Sequence, residues 1–121
     1  IAVGKSQDNT RAYIESFNIP QLKIIDTVWN DNIREGGAVL ADETNKALAE
    51  VSKDSDWLMY IQADECIHED DLPKIRKAMQ DNLNNNHIEG LLFDYLHFYG
   101  SYDFLGDFRR WYNQEIIIIR N

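Results

Sequence analysis

The sequence predicts an α/β fold, a mainly parallel sheet flanked by helices. Two observations carry this. Short apolar runs alternate with amphipathic stretches in the order strand, helix, strand, helix, strand, helix, strand, and such alternation builds parallel sheets with helices on their faces. Residues 58–61, Leu-Met-Tyr-Ile, are also an unbroken apolar run. A strand covered on both faces has no polar side to show, so this run is expected at the centre of the sheet and almost fully buried.

The elements follow in order. Ala2 and Val3 close a short strand. The polar turn Ser6-Gln7-Asp8-Asn9-Thr10 follows, where Asp8 or Ser6 can cap the next helix. That helix spans about residues 9–18, with Tyr13, Ile14 and Phe17 on one face, and Asn18 and Pro20 stop it. Residues 22–26 read as a strand and 29–37 as a loop rich in Asn, Asp and Gly. An amphipathic helix covers about 38–52, with Leu40, Ala47, Leu48 and Val51 near one stripe. After the strand that starts at Trp57, the acids Glu69, Asp70 and Asp71 and then Pro73 mark a helix start. This helix runs to about Asn82, with Leu72, Ile75, Arg76 and Met79 spaced at three and four. Residues 90–99 form a long strand and 114–120 another, the latter with four consecutive isoleucines. The connection between these two is too short for a crossover helix, so they pair antiparallel or with another partner. Residues 100–106 read as a loop.

At 121 residues the chain is one domain at most. Its N-terminus, Ile1-Ala2-Val3-Gly4-Lys5, reads like the middle of a strand, so the expectation is a partial domain over 1–121, truncated at both ends. No signal peptide or membrane-length apolar run is present. The net charge of −9 argues against a nucleic-acid polymer as partner, because phosphate binding needs excess Lys and Arg. A single nucleotide held through a metal ion remains compatible. Cys66 has no second cysteine to pair with, which fits a reducing, cytoplasmic setting. Neighbouring acids make it a poor nucleophile, and a structural role suits it better.

The chemistry gathers where the apolar run stops, at Gln62-Ala63-Asp64-Glu65. Open α/β sheets bind ligands just beyond the carboxyl ends of their strands. Adjacent carboxylates repel each other unless a cation or proton lies between them. Carboxylate oxygens suit Mg²⁺ or Mn²⁺, and one or two of them plus substrate phosphates complete a shell. Asp64, with Glu65 as a second candidate, is therefore the expected metal ligand. The plainer alternatives are a solvated acid at a strand end and a helix-side acid.

These residues resemble the nucleotide-sugar-binding portion of a family 2 glycosyltransferase with the GT-A (Rossmann-like) fold. Ser6-Gln7-Asp8-Asn9-Thr10 is similar to the family's Gly-Ser-Thr-Asp-Gly-Thr turn. Gly36-Gly37, followed by Asn45 and Ala47, is similar to its Gly-rich loop and Arg-Asn-x-Ala helix. The segment from Asp56-Trp57 to Asp64-Glu65 is similar to the strand ending in its Asp-x-Asp signature. Gly106, Arg109-Arg110-Trp111 and the closing Ile-Arg-Asn resemble the segment before the next sheet strand. The resemblance covers nearly the full length, and only the third feature is strongly specific. The chain departs from the pattern at Gln62, where the family has its first signature Asp. It departs again at Val3 and Gly4, where the family often has an acidic pair, and at Thr44, where it often has Arg. The family's first strand and its later acceptor region have no counterpart here.

The resemblance implies glycosyl transfer from a nucleotide-diphosphate sugar to a saccharide or other hydroxyl acceptor, assisted by Mg²⁺ or Mn²⁺ and inverting. It implies donor contacts at Asp8, Gln62, Asp64 and Arg34; Arg34 and Lys5 could meet phosphate. For Asp8 the plain alternative is helix capping, and for Arg34 surface charge. His68 is either a ligand or a helix-start residue. Nine aromatic residues lie between Phe93 and Tyr112, and Tyr95, His97 and Tyr99 alternate, so they share one strand face. A saccharide platform competes there with core packing or an interface. The catalytic base is unassigned, with His97, Asp103 and Asp107 as candidates. The alternative to an enzyme is a non-catalytic GT-A-like scaffold or interaction module, for which Gln62 marks lost donor binding. A nucleotidyl or phosphoryl transferase lacks its phosphate loop.

Overall fold

The computed structural model describes residues 1–121 apart from Asp31, Arg34, Asp107, Arg109 and Arg110. They form two compact units, Ile1–Ser52 and Lys53–Asn121.

The first unit is a β-α-β-α run: β1 (Ala2–Gly4), α1 (Thr10–Ser16), β2 (Ile25–Thr27) and α2 (Ala38–Leu48). β1 and β2 pair in parallel, Val3 opposite Asp26. The turn before α1 forms because the Asp8 carboxylate accepts from the Ser6 hydroxyl at 2.7 Å and from the Thr10 N–H at 3.0 Å. Asn18, at φ 49°, takes the left-handed backbone that Asn tolerates and ends the helix. Of the expected apolar face only Ile14 is half-buried, while Tyr13 and Phe17 are exposed and meet edge to face at 5.0 Å. Arg11 ion-pairs with Glu15 and with Asp26, joining α1 to β2. In α2, which packs on β1, the inward positions are Val39, Glu43 and Ala47, at a spacing of four. Leu40, Leu48 and Val51 are exposed. Their apolar spacing fitted the helix but not the face that the sheet received.

The second unit comprises β3 (Trp57–Met59), a 3₁₀ turn (Glu69–Asp71), α3 (Leu72–Asp81), β4 (Gly90–Asp94), β5 (Phe98–Tyr99), β6 (Ser101–Leu105) and β7 (Gln114–Arg120). Its main sheet has the order β3-β7-β4, with β7 antiparallel to both neighbours. The chain is therefore mixed α/β, with one parallel pair and one antiparallel three-stranded sheet rather than one mainly parallel sheet. The strand placed at the centre by its apolarity lies at an edge. Leu58 is half-buried, and Met59 and Ile61 remain 43% and 46% exposed. The centre belongs to β7, whose isoleucines are β-branched and suit a strand packed on both sides. Ile118 is fully buried and its neighbour Ile117 nearly so, and since consecutive residues face opposite ways, both faces of β7 are covered there. Gly90 lies against this strand: a Cβ on it would come within 2.9 Å of Ile116 Cγ2 and 3.0 Å of the Ile118 carbonyl oxygen.

The expected strand over 90–99 breaks after Asp94, and the segment read as a loop over 100–106 contains β6, paired antiparallel with β5. Arg120 closes the unit. Its guanidinium donates to the carbonyls of Asn82 (2.8 Å), Leu83, Asn85 and Ile88 (3.1 Å each), beyond the end of α3. It also lies 4.3 Å from the Trp57 ring centroid. A cation there suits the helix's negative end.

A candidate cation site beside an aromatic cluster

Beyond β3 the Tyr60 N–H still bonds the Ile117 carbonyl at 2.9 Å, and the chain then turns at residues 62–65. The Glu65 N–H donates to the Gln62 carbonyl at 3.2 Å, and the Gln62 N–H donates to Glu65 Oε2 at 2.7 Å. Glu65 Oε1 accepts from the Tyr95 hydroxyl at 2.8 Å. Both Glu65 oxygens are thus engaged, and the residue is half-buried. Each Glu65 oxygen accepts one hydrogen bond, one serving the turn and one Tyr95. Asp64 and Gln62 are exposed, and neither side chain has a hydrogen-bond partner among the described residues.

Tyr95 opens a cluster of rings. Its centroid lies 4.8 Å from His97 and 5.0 Å from Tyr112, and His97 lies 5.0 Å from Trp111 and 4.9 Å from Tyr112. His97 Nε2 is 2.6 Å from the Tyr112 carbonyl. A carbonyl only accepts, so that nitrogen carries the proton and Nδ1 is the bare one in the neutral ring. Trp111 packs directly over Gly106, where a Cβ would meet its ring at 2.1 Å. Burial pushes the Tyr95 hydroxyl's pKa well above its ordinary value, and donation to Glu65 raises it further. Tyr99 does not belong to the cluster; it is 72% exposed in the β5–β6 hairpin.

The other candidates are placed as follows. Asp8 lies in the first unit, in the turn just before Asn9, the N-cap of α1; hydrogen bonds from the Thr10 side chain, the Ser6 hydroxyl and the Thr10 N–H hold its carboxyl at about 2. Asp103 sits on β6, exposed, and shares hydrogen bonds with Ser101. His68 caps the 3₁₀ turn, its Nδ1 accepting from the Asp70 N–H at 3.2 Å. Asp71 pairs with Lys74 at 2.6 Å, which lowers its pKa. Cys66 is exposed. Arg34 and Asp107 lie outside the described residues. Gln62, Asp64 and Glu65 therefore share one turn, and Glu65 connects that turn to Tyr95 and His97.

No group of three or more His, Cys, Asp or Glu side chains that could hold a metal occurs among the described residues. Two side chains of the turn carry oxygen donors of the kind a hard divalent cation takes, too few to form a site by themselves. Asp64 offers an unengaged carboxylate and Gln62 an amide oxygen, while a diphosphate and water would supply the remaining ligands. Sequence reasoning missed the parts played by Tyr95 and Tyr112. Tyr95 lies 30 residues from its carboxylate partner. Its signal was the alternation of Tyr95 with His97, but the partner depended on where the hairpin folded back.

A groove of about 810 Å³ lies along α3 near the amino end of β3, lined by Trp57, Leu72, Ile75 and Met79 among others. Among the described residues, no helix is long and apolar enough to cross a membrane. No protein-family model matches the chain, and no match emerges among curated proteins or solved structures.

Proposed function

We propose that the chain is the nucleotide-sugar-binding part of a glycosyltransferase, moving a sugar from a nucleotide-diphosphate donor to a hydroxyl acceptor with Mg²⁺ or Mn²⁺. The observation that carries this reading is the 62–65 turn. It leaves Asp64 exposed beyond the carboxyl end of β3, with no side-chain partner among the described residues, while its neighbour Glu65 is turned to Tyr95. In this reading the parallel β1–β2 pair belongs to a GT-A-like, Rossmann-like nucleotide-binding fold. Asp64 holds the cation, and Gln62 supports it or the donor through a neutral hydrogen bond. When bound, the cation neutralises the leaving diphosphate as a Lewis acid. The rings of Tyr95, Trp111 and Tyr112 offer apolar surface for a sugar, and the catalytic base stays unassigned.

A second reading, a GT-A-like scaffold without catalysis, is favoured by Gln62, which brings no charge to the cation. Calorimetric titration with Mn²⁺ and UDP- or GDP-sugars separates the two. Asp64→Asn should weaken binding at least tenfold, roughly 1.4 kcal/mol, because a charged ligand is lost. Equal affinity of the two proteins leaves Asp64 a surface acid and favours the scaffold.

A further inference from the structure

We propose that the groove along α3 docks an amphipathic helix of a partner protein, one with basic residues toward both ends of its docked stretch and an acidic residue between them. The inference stands on the second unit alone and does not depend on the reading of Asp64. The groove has a volume of about 810 Å³ and runs between α3 and the amino end of β3. Its surface is largely apolar. Trp57, Ile75 and Met79 are half-buried there, and Leu72 and Leu83 remain 53% and 40% exposed. Leu72, Ile75, Met79 and Leu83 recur at three and four residues, the spacing of a stripe that one helix lays against another. A helix docked in an apolar groove is a common mode of peptide recognition.

The charges on the walls say which helix fits. Elsewhere on α3 the ions are already paired, Lys74 with Asp71 and Lys77 with Asp81, at 2.6 Å each. Asp56, Glu69 and Arg76 line the groove, are exposed, and have no side-chain partner among the described residues. Their order along the groove follows from the fold. Glu69 precedes the amino end of α3. Asp56 adjoins Trp57, whose indole N–H donates to the Met79 carbonyl at 3.2 Å, near the other end of the helix. Arg76 lies between them, roughly 10 Å along the axis from Glu69 at the helical rise per residue. The wall is therefore negative, positive, negative. A helix of the opposite order meets all three charges with their complements, in either chain direction. Any other order sets like charges together, which is how an interface rejects wrong partners. The net charge of −9 also favours the approach of a helix with basic ends.

Calorimetric titration of the chain with three synthetic peptides of roughly four helical turns tests this. The first carries a leucine stripe, lysines toward both ends and a glutamate at the centre. The second inverts those charges. The third keeps the charges of the first and replaces leucine by serine. The first should bind at least about tenfold tighter than the second, and the third should show no measurable binding. The triple variant Asp56→Lys, Glu69→Lys, Arg76→Glu changes only exposed side chains, so its melt should move little while its preference between the first two peptides reverses. Should that variant not fold, Arg76→Glu alone should narrow the gap between them. Equal binding of the first two peptides by the parent, or a preference that the variants leave unchanged, overturns the proposal. Serine-peptide binding as tight as that of the leucine peptide overturns it as well, as does a parent that binds none of the three. A chain that sediments as a dimer and becomes monomeric on Met79→Lys gives the groove to a second copy, which also overturns it.

Discussion

Among the described residues, the buried side chains of Ile1–Ser52 are Val3, Thr27 and Glu43, whereas those of Lys53–Asn121 are Ile117 and Ile118. The first unit turns a carboxylate and a hydroxyl inward. Glu43 Oε1 accepts from Lys46 at 2.7 Å, and its buried Oε2 and the buried Thr27 Oγ1 lack a well-formed hydrogen bond. The Lys46 contact lowers the Glu43 pKa, and the nearby Thr27 hydroxyl lowers it further against the effect of burial. The second unit puts branched apolar side chains at its centre and charge at its ends. The first is thus held by directional polar contacts that respond to protonation. The second is held by packing at its centre, which responds to lost volume, and by the Arg120 hydrogen bonds at the end of β7.

The largest expected effect follows from Ile118. It is fully buried on the central strand, paired with Met59 on one side and Leu91 on the other. Ile118→Ala should destabilise the sheet by about 2–5 kcal/mol, the range for emptying a packed core position. Urea unfolding followed through Trp57, which pairs with Arg120 on β7, reads this. A loss below about 1 kcal/mol would contradict the assignment of the core to β7.

A smaller effect comes from acid. The Asp8 carboxyl is held at about 2 against a reference of 3.8. A carboxyl lowered in the folded state adds stability above the unfolded value, and that stability is lost as pH falls through the folded one. Stability contributed by the Asp8 turn before α1 should therefore be intact above about pH 4 and fade between there and about pH 2. Asp8→Asn should flatten this part of the profile, leaving the share that Glu43 and Asp71 contribute. Melts at pH 5 and pH 2.5 compare the two proteins; identical pH slopes would show that the Ser6 and Thr10 contacts do not persist in solution.

The comparison also shows what the sequence could and could not reveal. Strand β7 was legible at its full extent, Gln114–Arg120, because four isoleucines between polar residues admit few other readings. The polar turn at 6–10 was legible too, since its contacts span two residues, although the N-cap of α1 is Asn9 and not Asp8 or Ser6. The edge position of β3 was not. Apolarity at 58–61 says that a segment avoids water, but which strand takes the centre depends on competition with 116–119. In the same way, Leu40, Leu48 and Val51 traced a helical stripe while Glu43 took the buried position, because the sheet beneath presents Thr27. At the candidate site the 62–65 turn was legible as a strand end with two acids. The engagement of Glu65 was not, because its partner Tyr95 lies 30 residues away in the chain.

The central claim is that the 62–65 turn, rather than another group of acids, receives a divalent cation with a nucleoside diphosphate. Paramagnetic broadening by Mn²⁺ in the presence of UDP, read on assigned backbone amides, tests it most directly. The account predicts that the amides of Gln62, Ala63, Asp64 and Glu65 broaden first, that Tyr95 follows, and that Asp64→Asn abolishes the effect. Broadening centred on Glu69, Asp70 and Asp71, or broadening at the turn that survives in Asp64→Asn, would contradict it.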